Sequence, residues 1–275
     1  MKKLSLLIAA VMAFAATAAI ADDAAAEAAA DEQSSIEASL SADILSAYVS
    51  RGQVWNDEFV FQPNFWVGLP YGLEFNLWGT MDLTDSDGSC YPDSGMKWSE
   101  FDLEPIINLP IPGVNVALGA IYFAYPLDVD NDHDVYVTVS KEVAVNDDFT
   151  VKPSLKFEHR CAHSDDWFII AKVSPKYALT EKLSLGADVE VGYAGADYVG
   201  GSYGSKNKAA FSHAQAVASL SYALTDKLSA GIKGGYSTIL DSDMRDDMRA
   251  RDEEGNKPYP QIDIGFGGLF FNYDF

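Results

Sequence analysis

Residues 259–275 read YPQIDIGFGGLFFNYDF, and the sequence stops on Phe275. From Leu269 onward the odd positions are apolar (Leu269, Phe271, Tyr273, Phe275), while Asn272 and Asp274 interleave. A period of two gives a strand one apolar and one polar face. Such a strand closes either a soluble β-sandwich or a β-barrel. The apolar phase switches at Gly267-Gly268, from Ile262, Ile264 and Phe266 to Leu269 and beyond, which predicts a glycine bulge at that point.

Working back from this stretch, the same alternation recurs along the chain. Leu73, Phe75, Leu77, Met81 and Leu83 oppose Glu74, Asn76, Thr80 and Asp82. Val151, Leu155 and Phe157 oppose Lys152, Lys156 and Glu158, and Leu183, Leu185, Val189 and Val191 oppose Ser184, Asp188 and Glu190. The pattern predicts roughly twelve strands, near 40–52, 57–68, 72–84, 97–109, 113–125, 133–145, 149–160, 166–178, 182–194, 209–223, 227–240 and 259–275. The connections sort in alternation. LPYG, PIPG, VNDD, LTEK and LTDK are tight, whereas 85–96, 195–208 and 241–258 are long. Outer-membrane barrels have short turns on one side and longer loops on the other, and a sandwich has no cause to sort its loops in this way. The expectation is an all-β chain, a transmembrane antiparallel up-and-down barrel of about 12 strands with both ends on the short-turn side.

Two further features suit a membrane wall. Tyr71, Tyr177, Tyr222 and Tyr273 fall at one end of their strands, and Trp98, Tyr122, Trp167, Tyr193 and Tyr236 at the other, as two aromatic belts. Tyr177-Ala-Leu-Thr-Glu-Lys-Leu-Ser-Leu and Tyr222-Ala-Leu-Thr-Asp-Lys-Leu-Ser-Ala are near-repeats predicted to form matching turns. Pro63, Pro105, Pro153 and Pro175 each remove a ladder donor and are expected at bulges or unpaired positions.

At the other end, Lys2 and Lys3 precede an apolar run and the small residues Ala19-Ile20-Ala21, the order of a secretory leader spanning 1–21. Residues 22–38 are an acidic, alanine-rich segment expected to be a solvated periplasmic tail, which leaves 39–275 as the barrel. Losing the two leader lysines takes the formal charge from −22 to −24, which disfavours nucleic acid as a partner. The expected partners are outer-membrane lipid, lipopolysaccharide and the barrel assembly machinery.

Several patches carry a family resemblance. Ser41–Glu58 (SADILSAYVSRGQVWNDE), with a tyrosine followed closely by Arg51-Gly52, then Gln62-Pro63 and Phe75-Asn76-Leu77-Trp78-Gly79, resembles the TorF-type porin family. His133-Asp134-Val135-Tyr136-Val137 is similar to a later family motif that usually carries glutamate where Asp134 stands. The resemblance covers about a third of the chain. It implies an outer-membrane barrel acting as a pore and carries no catalytic residues to transfer. The closing strand likewise resembles that of bacterial outer-membrane barrels, in which a terminal aromatic, here Phe275, is an assembly signal.

The chemistry-bearing residues are sorted by inward parity. One side of the lumen is expected to carry the acids Glu74, Asp82, Glu100, Asp102 and Glu104, with Asp188 and Glu190 further round. The other carries Lys152, Lys156, Arg160, Lys172 and Lys176, with Glu158 among them. The opposed charges are expected either to hold a field across an open pore or to meet as salt bridges that close it. A twelve-strand wall leaves a passage on the order of 10 Å or less, enough for ions and small polar solutes. Enzymatic activity is not expected, because Ser212-His213 lacks the glycine and asparagine surroundings of outer-membrane phospholipases. No cofactor is implied. Asp128, Asp130, Asp132 and Asp134 stand at every second position, but His133 and Val139 occupy the calcium-loop positions of glycine and glutamate, which excludes an EF-hand and leaves an adventitious divalent site open. Cys90 and Cys161 fall in outer loops where a disulfide is possible.

Overall fold

The computed structural model describes residues 36–84, 89–90, 94–127, 130–161, 166–250 and 261–275. The strands are β1 (Glu37–Leu45), β2 (Tyr48–Ser50), β3 (Gln53–Asn56), β4 (Val60–Leu69), β5 (Leu73–Asp82), β6 (Trp98–Leu109), β7 (Asn115–Ala124) and β8 (Asp132–Ser140). They continue with β9 (Val143–Asn146), β10 (Phe149–Arg160), β11 (Asp166–Ala178), β12 (Leu183–Ala194), β13 (Ala210–Ala223), β14 (Leu228–Ile239) and β15 (Asp263–Asp274). Two short helices, α1 (Ala196–Ser202) and α2 (Ser242–Arg249), lie in the connections after β12 and β14.

Twelve strands form a closed antiparallel up-and-down barrel. Each pairs with its sequence neighbours in the wall, and β1 closes the circle on β15, with Leu40 opposite Tyr273 and Ile44 opposite Leu269. The short β9 prolongs β8 along the foot of β10, and β2 and β3 form a separate hairpin. Closure removes every sheet edge, so the backbone groups of the wall are paired within it.

Alternation sets the two faces. Leu40, Phe65, Leu77, Leu103, Leu118, Val135, Phe157, Val173, Leu185, Phe211, Ile232 and Leu269 are exposed, one from each of the twelve wall strands, and together make a continuous apolar outer band. An apolar surface running round a whole barrel is stable against lipid and unfavourable against water. The tyrosine belt at the short-turn rim, Tyr71, Tyr177, Tyr222 and Tyr273, is exposed on that same face. The near-repeat turns match in detail. Thr180 Oγ1 accepts from Lys182 N–H and Leu183 N–H, and Thr225 Oγ1 accepts from Lys227 N–H and Leu228 N–H.

The prolines sit where a donor is not needed on one flank. Pro63 faces Ala42 on β1 while the β4–β5 pairing skips from Phe61 to Asn64, and Pro175 faces Val151 while the β11–β12 pairing skips from Val173 to Lys176. Pro105 behaves likewise, with the β6–β7 pairing skipping from Leu103 to Ile106.

Two expectations are corrected. The first strand does not run to residue 52; it ends at Leu45, and residues 48–56 fold back as the β2–β3 hairpin. The alternation continues through both pieces, so period alone does not reveal the break. The last strand carries no bulge at Gly267-Gly268, because its pairing with β14 runs unbroken from Tyr273 to Asp263. Its phase switches for another reason. Phe270 and Phe266 face the lumen, and Ile264 packs on Ala47 and Val54 of the hairpin segment, while Leu269, Phe271 and Tyr273 face outward. The barrel carries an apolar interior at one rim only, and the strand changes its apolar face to match.

That interior lies at the long-loop rim. Tyr198 and Val199 of α1, Met244 and Met248 of α2, and Tyr203 pack with Phe168, Ala194, Ala210, Ile239 and Ile262 into one cluster. Outside it the segment that follows α1 is tied to α2 and its N-cap by Lys208 to Asp241 and Asp243, and by Ser205 to Asp247. The predicted leader and most of residues 22–38 lie outside the described residues.

Candidate functional site

The lumen is organised by the β2–β3 hairpin. Arg51 (φ 52°) and Gly52 (φ 77°) make its turn in the left-handed region. Glycine is required at 52 on a second ground: a Cβ there would lie 2.4 Å from His213 Cβ. Val54 is fully buried, Tyr48 packs on Trp78 with ring centroids 5.4 Å apart, and Trp55 O accepts from Cys90 N–H at 2.7 Å. The hairpin is thus a packed insertion, with apolar residues on its flanks and Arg51 at its tip.

Arg51 reaches across to the far wall. Its guanidinium pairs with Glu158 of β10, with Asp134 of β8 at 3.2 Å, and donates to Tyr198 Oη of α1 at 2.5 Å. Asp134 and Glu158 are almost wholly buried, so their charges depend on these partners. Lys156 holds the other oxygen of Glu158 at 2.9 Å, and Arg160 Nε lies 3.3 Å from Asp132. Arg160 also donates to Ser202 Oγ at 2.7 Å, Gln53 Nε2 donates to Ser202 O at 2.5 Å, and Tyr203 Oη donates to Arg51 O at 2.7 Å. Hairpin, helix α1 and the β8–β10 wall are therefore one hydrogen-bonded body.

Three cavities surround the hairpin. A recess of about 410 Å³ opens at the long-loop rim beside Arg51, Trp55, Glu100, Asp102, Phe123 and Tyr125. On the other side lie a cavity of about 310 Å³ against Asn76, Trp78, Asp102 and Glu104, and one of about 430 Å³ against Lys172, Asp188, Glu190 and Lys233. Tyr48, Ser50 and Asp102 line both the recess and the 310 Å³ cavity. The acidic β6 wall therefore runs past one flank of the hairpin, while the Arg51 network seals the other. Tyr48 Oη donates to Glu100 at 2.8 Å across that open flank.

The two charge groups differ in how they are satisfied. Among the described residues Glu100, Asp102 and Glu104 have no salt bridge, and Asp102 Oδ1 is buried without a hydrogen-bond partner. Glu74 accepts from Trp66 Nε1 and Asn108 Nδ2, and Asp82 accepts from Ser99. The basic set does not stand as an opposed free row. Lys156 and Arg160 are in ion pairs, Lys172 sits opposite Glu190 in register, and Lys152 and Lys176 are exposed toward the short-turn rim. Asp188 accepts from Ser174 and lines the 430 Å³ cavity. An ion pair missed by parity sorting, Lys233 with Asp43, stands in that cavity as well.

Of the aspartate run, Asp128 lies outside the described residues. Asp132 and Asp134 are taken up by the arginines, and among the described residues no group of three or more His, Cys, Asp and Glu is arranged to hold a metal. Ser212 Oγ lies 3.1 Å from His213 Nδ1, and His213 Nε2 lies 3.2 Å from Glu190 Oε1. The order of groups is that of a nucleophile relay, yet Ser212 and His213 are fully buried beneath Gly52 and Gly192, and neither lines any of the three cavities. What this arrangement does is seat the hairpin turn. Phe275 donates its N–H to Ala38 O at 3.0 Å and leaves its ring exposed at the short-turn rim.

No family model and no curated protein matches the chain. Among solved structures it is similar to the NanC porin, at 10% identity and a TM-score of 0.48, over 86% of this chain and 98% of that one. It is similar to the KdgM porin at 8% identity and a TM-score of 0.46, over 87% and 99%. It is similar to an outer-membrane channel from Pseudomonas putida F1 at 10% identity and a TM-score of 0.49, over 87% and 94%. At such identities the likeness is one of fold.

Outside the wall, burial pushes the Cys90 thiol up to about 12, with Asp57 and Asp82 adding to it. Burial and then Glu100 and Asp102 push the Tyr125 phenol up, so it remains a donor. Hydrogen bonds from Lys208 and Lys206 hold the Asp243 carboxyl below its usual range. The cysteines are free thiols, Cys90 half-buried and Cys161 exposed, so the disulfide left open by the sequence is not formed in this structure. Maleimide reacts with thiolate, so Cys161 is expected to label at least ~100-fold faster than Cys90 at neutral pH. Labelling kinetics of the Cys90→Ser and Cys161→Ser variants check this; equal rates would contradict it, and the absence of any free thiol in the denatured, unreduced, unaltered chain would reveal a bridge.

Proposed function

We propose that the chain is an outer-membrane diffusion channel for ions and small polar solutes, with a weak cation preference. The observation that carries this is the shared lining of the recess and the 310 Å³ cavity by Tyr48, Ser50 and Asp102, which leaves a flank of the hairpin beside an acid wall with no salt bridge of its own among the described residues. A row of carboxylates in a low-dielectric wall concentrates cations, and more so at low salt. In this proposal the short-turn rim and both chain ends face the periplasm, the leader 1–21 is removed on export, and Phe275 is presented to the assembly machinery. The long loops meet lipopolysaccharide. The TorF-type resemblance agrees with such a role.

The alternative is a non-conducting barrel whose loops serve envelope structure or adhesion. It is favoured by one contact, the Tyr48 to Glu100 hydrogen bond that spans the open flank. Planar-bilayer recording of the refolded protein separates the two. Stepwise conductance with a reversal potential on the cation side is expected; a silent bilayer, with the heat-modifiable band of a folded barrel on SDS gels, would establish the closed form.

A further inference from the structure

We infer that the recess at the long-loop rim is a binding site for small organic cations, an ammonium or guanidinium group carried on a flat or short apolar body. The inference names the solute class of the proposed channel and, as a loading site, rests on that proposal. As a binding site it stands on the recess alone.

The charge pattern comes first. Every arginine that borders the recess is already matched: Arg51 by Glu158 and Asp134, Arg160 by Asp132. Glu100 and Asp102 border it too and form no salt bridge among the described residues; Glu100 accepts from Tyr48 Oη, while the buried Asp102 Oδ1 accepts from no donor. A pair of acidic side chains with no ion pair of its own, beside an enclosed space, has lost solvation that an entering cation returns. An anion would meet the same pair as repulsion, and both arginines of the recess are already in ion pairs.

The apolar walls come second. Trp55, Phe123 and Tyr125 border the same space, Phe123 and Tyr125 lying parallel with centroids 6.5 Å apart. Phe123 already has the Arg51 guanidinium over its ring at 5.7 Å. Ring faces attract cations and also cover the apolar body of a ligand. At about 410 Å³ the recess is at the small end of the range for ligand pockets, which suits an amine of modest size and not a polymer.

The test uses the full chain folded in detergent and three probes of similar bulk: phenethylamine, 2-phenylethanol and phenylacetate. Calorimetric titration is expected to give the amine about tenfold tighter binding than the alcohol, with the carboxylate weaker still. The Glu100→Gln/Asp102→Asn variant is expected to bring the amine down to the level of the alcohol and leave the alcohol unchanged. Equal binding of amine and alcohol, or preference for the carboxylate, overturns the inference. Should the variant fail to give the folded band, the three-probe comparison on the unaltered chain decides. Bilayer recording distinguishes the two proposals: conductance without amine preference removes the site and keeps the channel, while amine preference in a silent barrel removes the channel and keeps the site.

Discussion

Replacing Arg51 with alanine is expected to raise single-channel conductance several-fold and to lower the stability of the folded barrel by about 3–5 kcal/mol. Both effects follow from one side chain. Arg51 is the only residue of the hairpin tip that reaches the β8–β10 wall through charge, and it does so toward Glu158 and Asp134, whose side chains are 2% and 0% exposed. Removing the guanidinium leaves those carboxylates buried, with Lys156 and Arg160 as the remaining cations. Breaking a buried pair from one side costs far more than the pair contributes, because the orphaned charge must be solvated or protonated. Water entering to solvate it would part the hairpin tip from the wall and widen the lumen on the flank that is now sealed. Arg51→Lys keeps the charge and loses the fork that serves Glu158, Asp134 and Tyr198 together, so an intermediate conductance is expected. The triple variant Arg51→Ala/Asp134→Asn/Glu158→Gln removes the orphaned charges as well. It should recover much of the lost stability while remaining more conductive than the unaltered chain. Single-channel recording together with urea unfolding in detergent measures both; an Arg51→Ala channel with unchanged conductance would mean that the hairpin does not restrict the path.

The barrel itself was legible because alternation, loop sorting and turn chemistry are local signals that agree with one another. Thr180 and Thr225 sit in matching turns because the same four residues recur, and the prolines fall at pairing gaps because they lack a donor. The site was less legible for a physical reason. Arg51-Gly52 stood out in sequence as part of a patch that resembles a porin family, but its position in the lumen depends on contacts with Glu158, Tyr198 and His213, which lie more than a hundred residues away along the chain. The hairpin alternates like the wall strands, only Ser46 and Ala47 divide it from β1, and its own turn is marked by Arg51 and Gly52 at positive φ. Parity placed Glu100, Asp102 and Glu104 on the inner face, yet parity cannot say which charges meet. Lys156 and Glu158 have the same parity on one strand and form an ion pair, whereas the β6 acids form no salt bridge among the described residues. The phase switch in 259–275 was a real signal assigned to the wrong cause, a bulge in place of an apolar insertion against which Ile264 packs.

Replacing Glu100, Asp102 and Glu104 together with their amides is expected to lower the cation-to-anion permeability ratio by a factor of about 5, cations losing and anions gaining by similar factors, and to move the reversal potential toward that of chloride. A unit charge roughly 8 Å from a passing ion, acting through water, is worth about 0.5 kcal/mol, so three give about 1.5 kcal/mol before screening. At ~0.15 M salt that distance is about one Debye length, which leaves roughly a third of the effect, a factor of about 2–3 in local ion concentration. The shift should therefore grow as the salt is diluted and vanish near 1 M, where the Debye length falls to ~3 Å. Neutralising the bases offers the control. Lys152→Gln/Lys176→Gln removes charges that are exposed toward the short-turn rim, so a smaller shift of opposite sign is expected. Asp82, which is buried and accepts from Ser99, should leave selectivity unchanged when replaced by asparagine, because it lines none of the three cavities. Reversal potentials across a tenfold potassium chloride gradient read all three variants. If the triple amide variant keeps the conductance and reversal potential of the unaltered chain at low salt, the β6 acids do not border the path and ions pass elsewhere in the lumen.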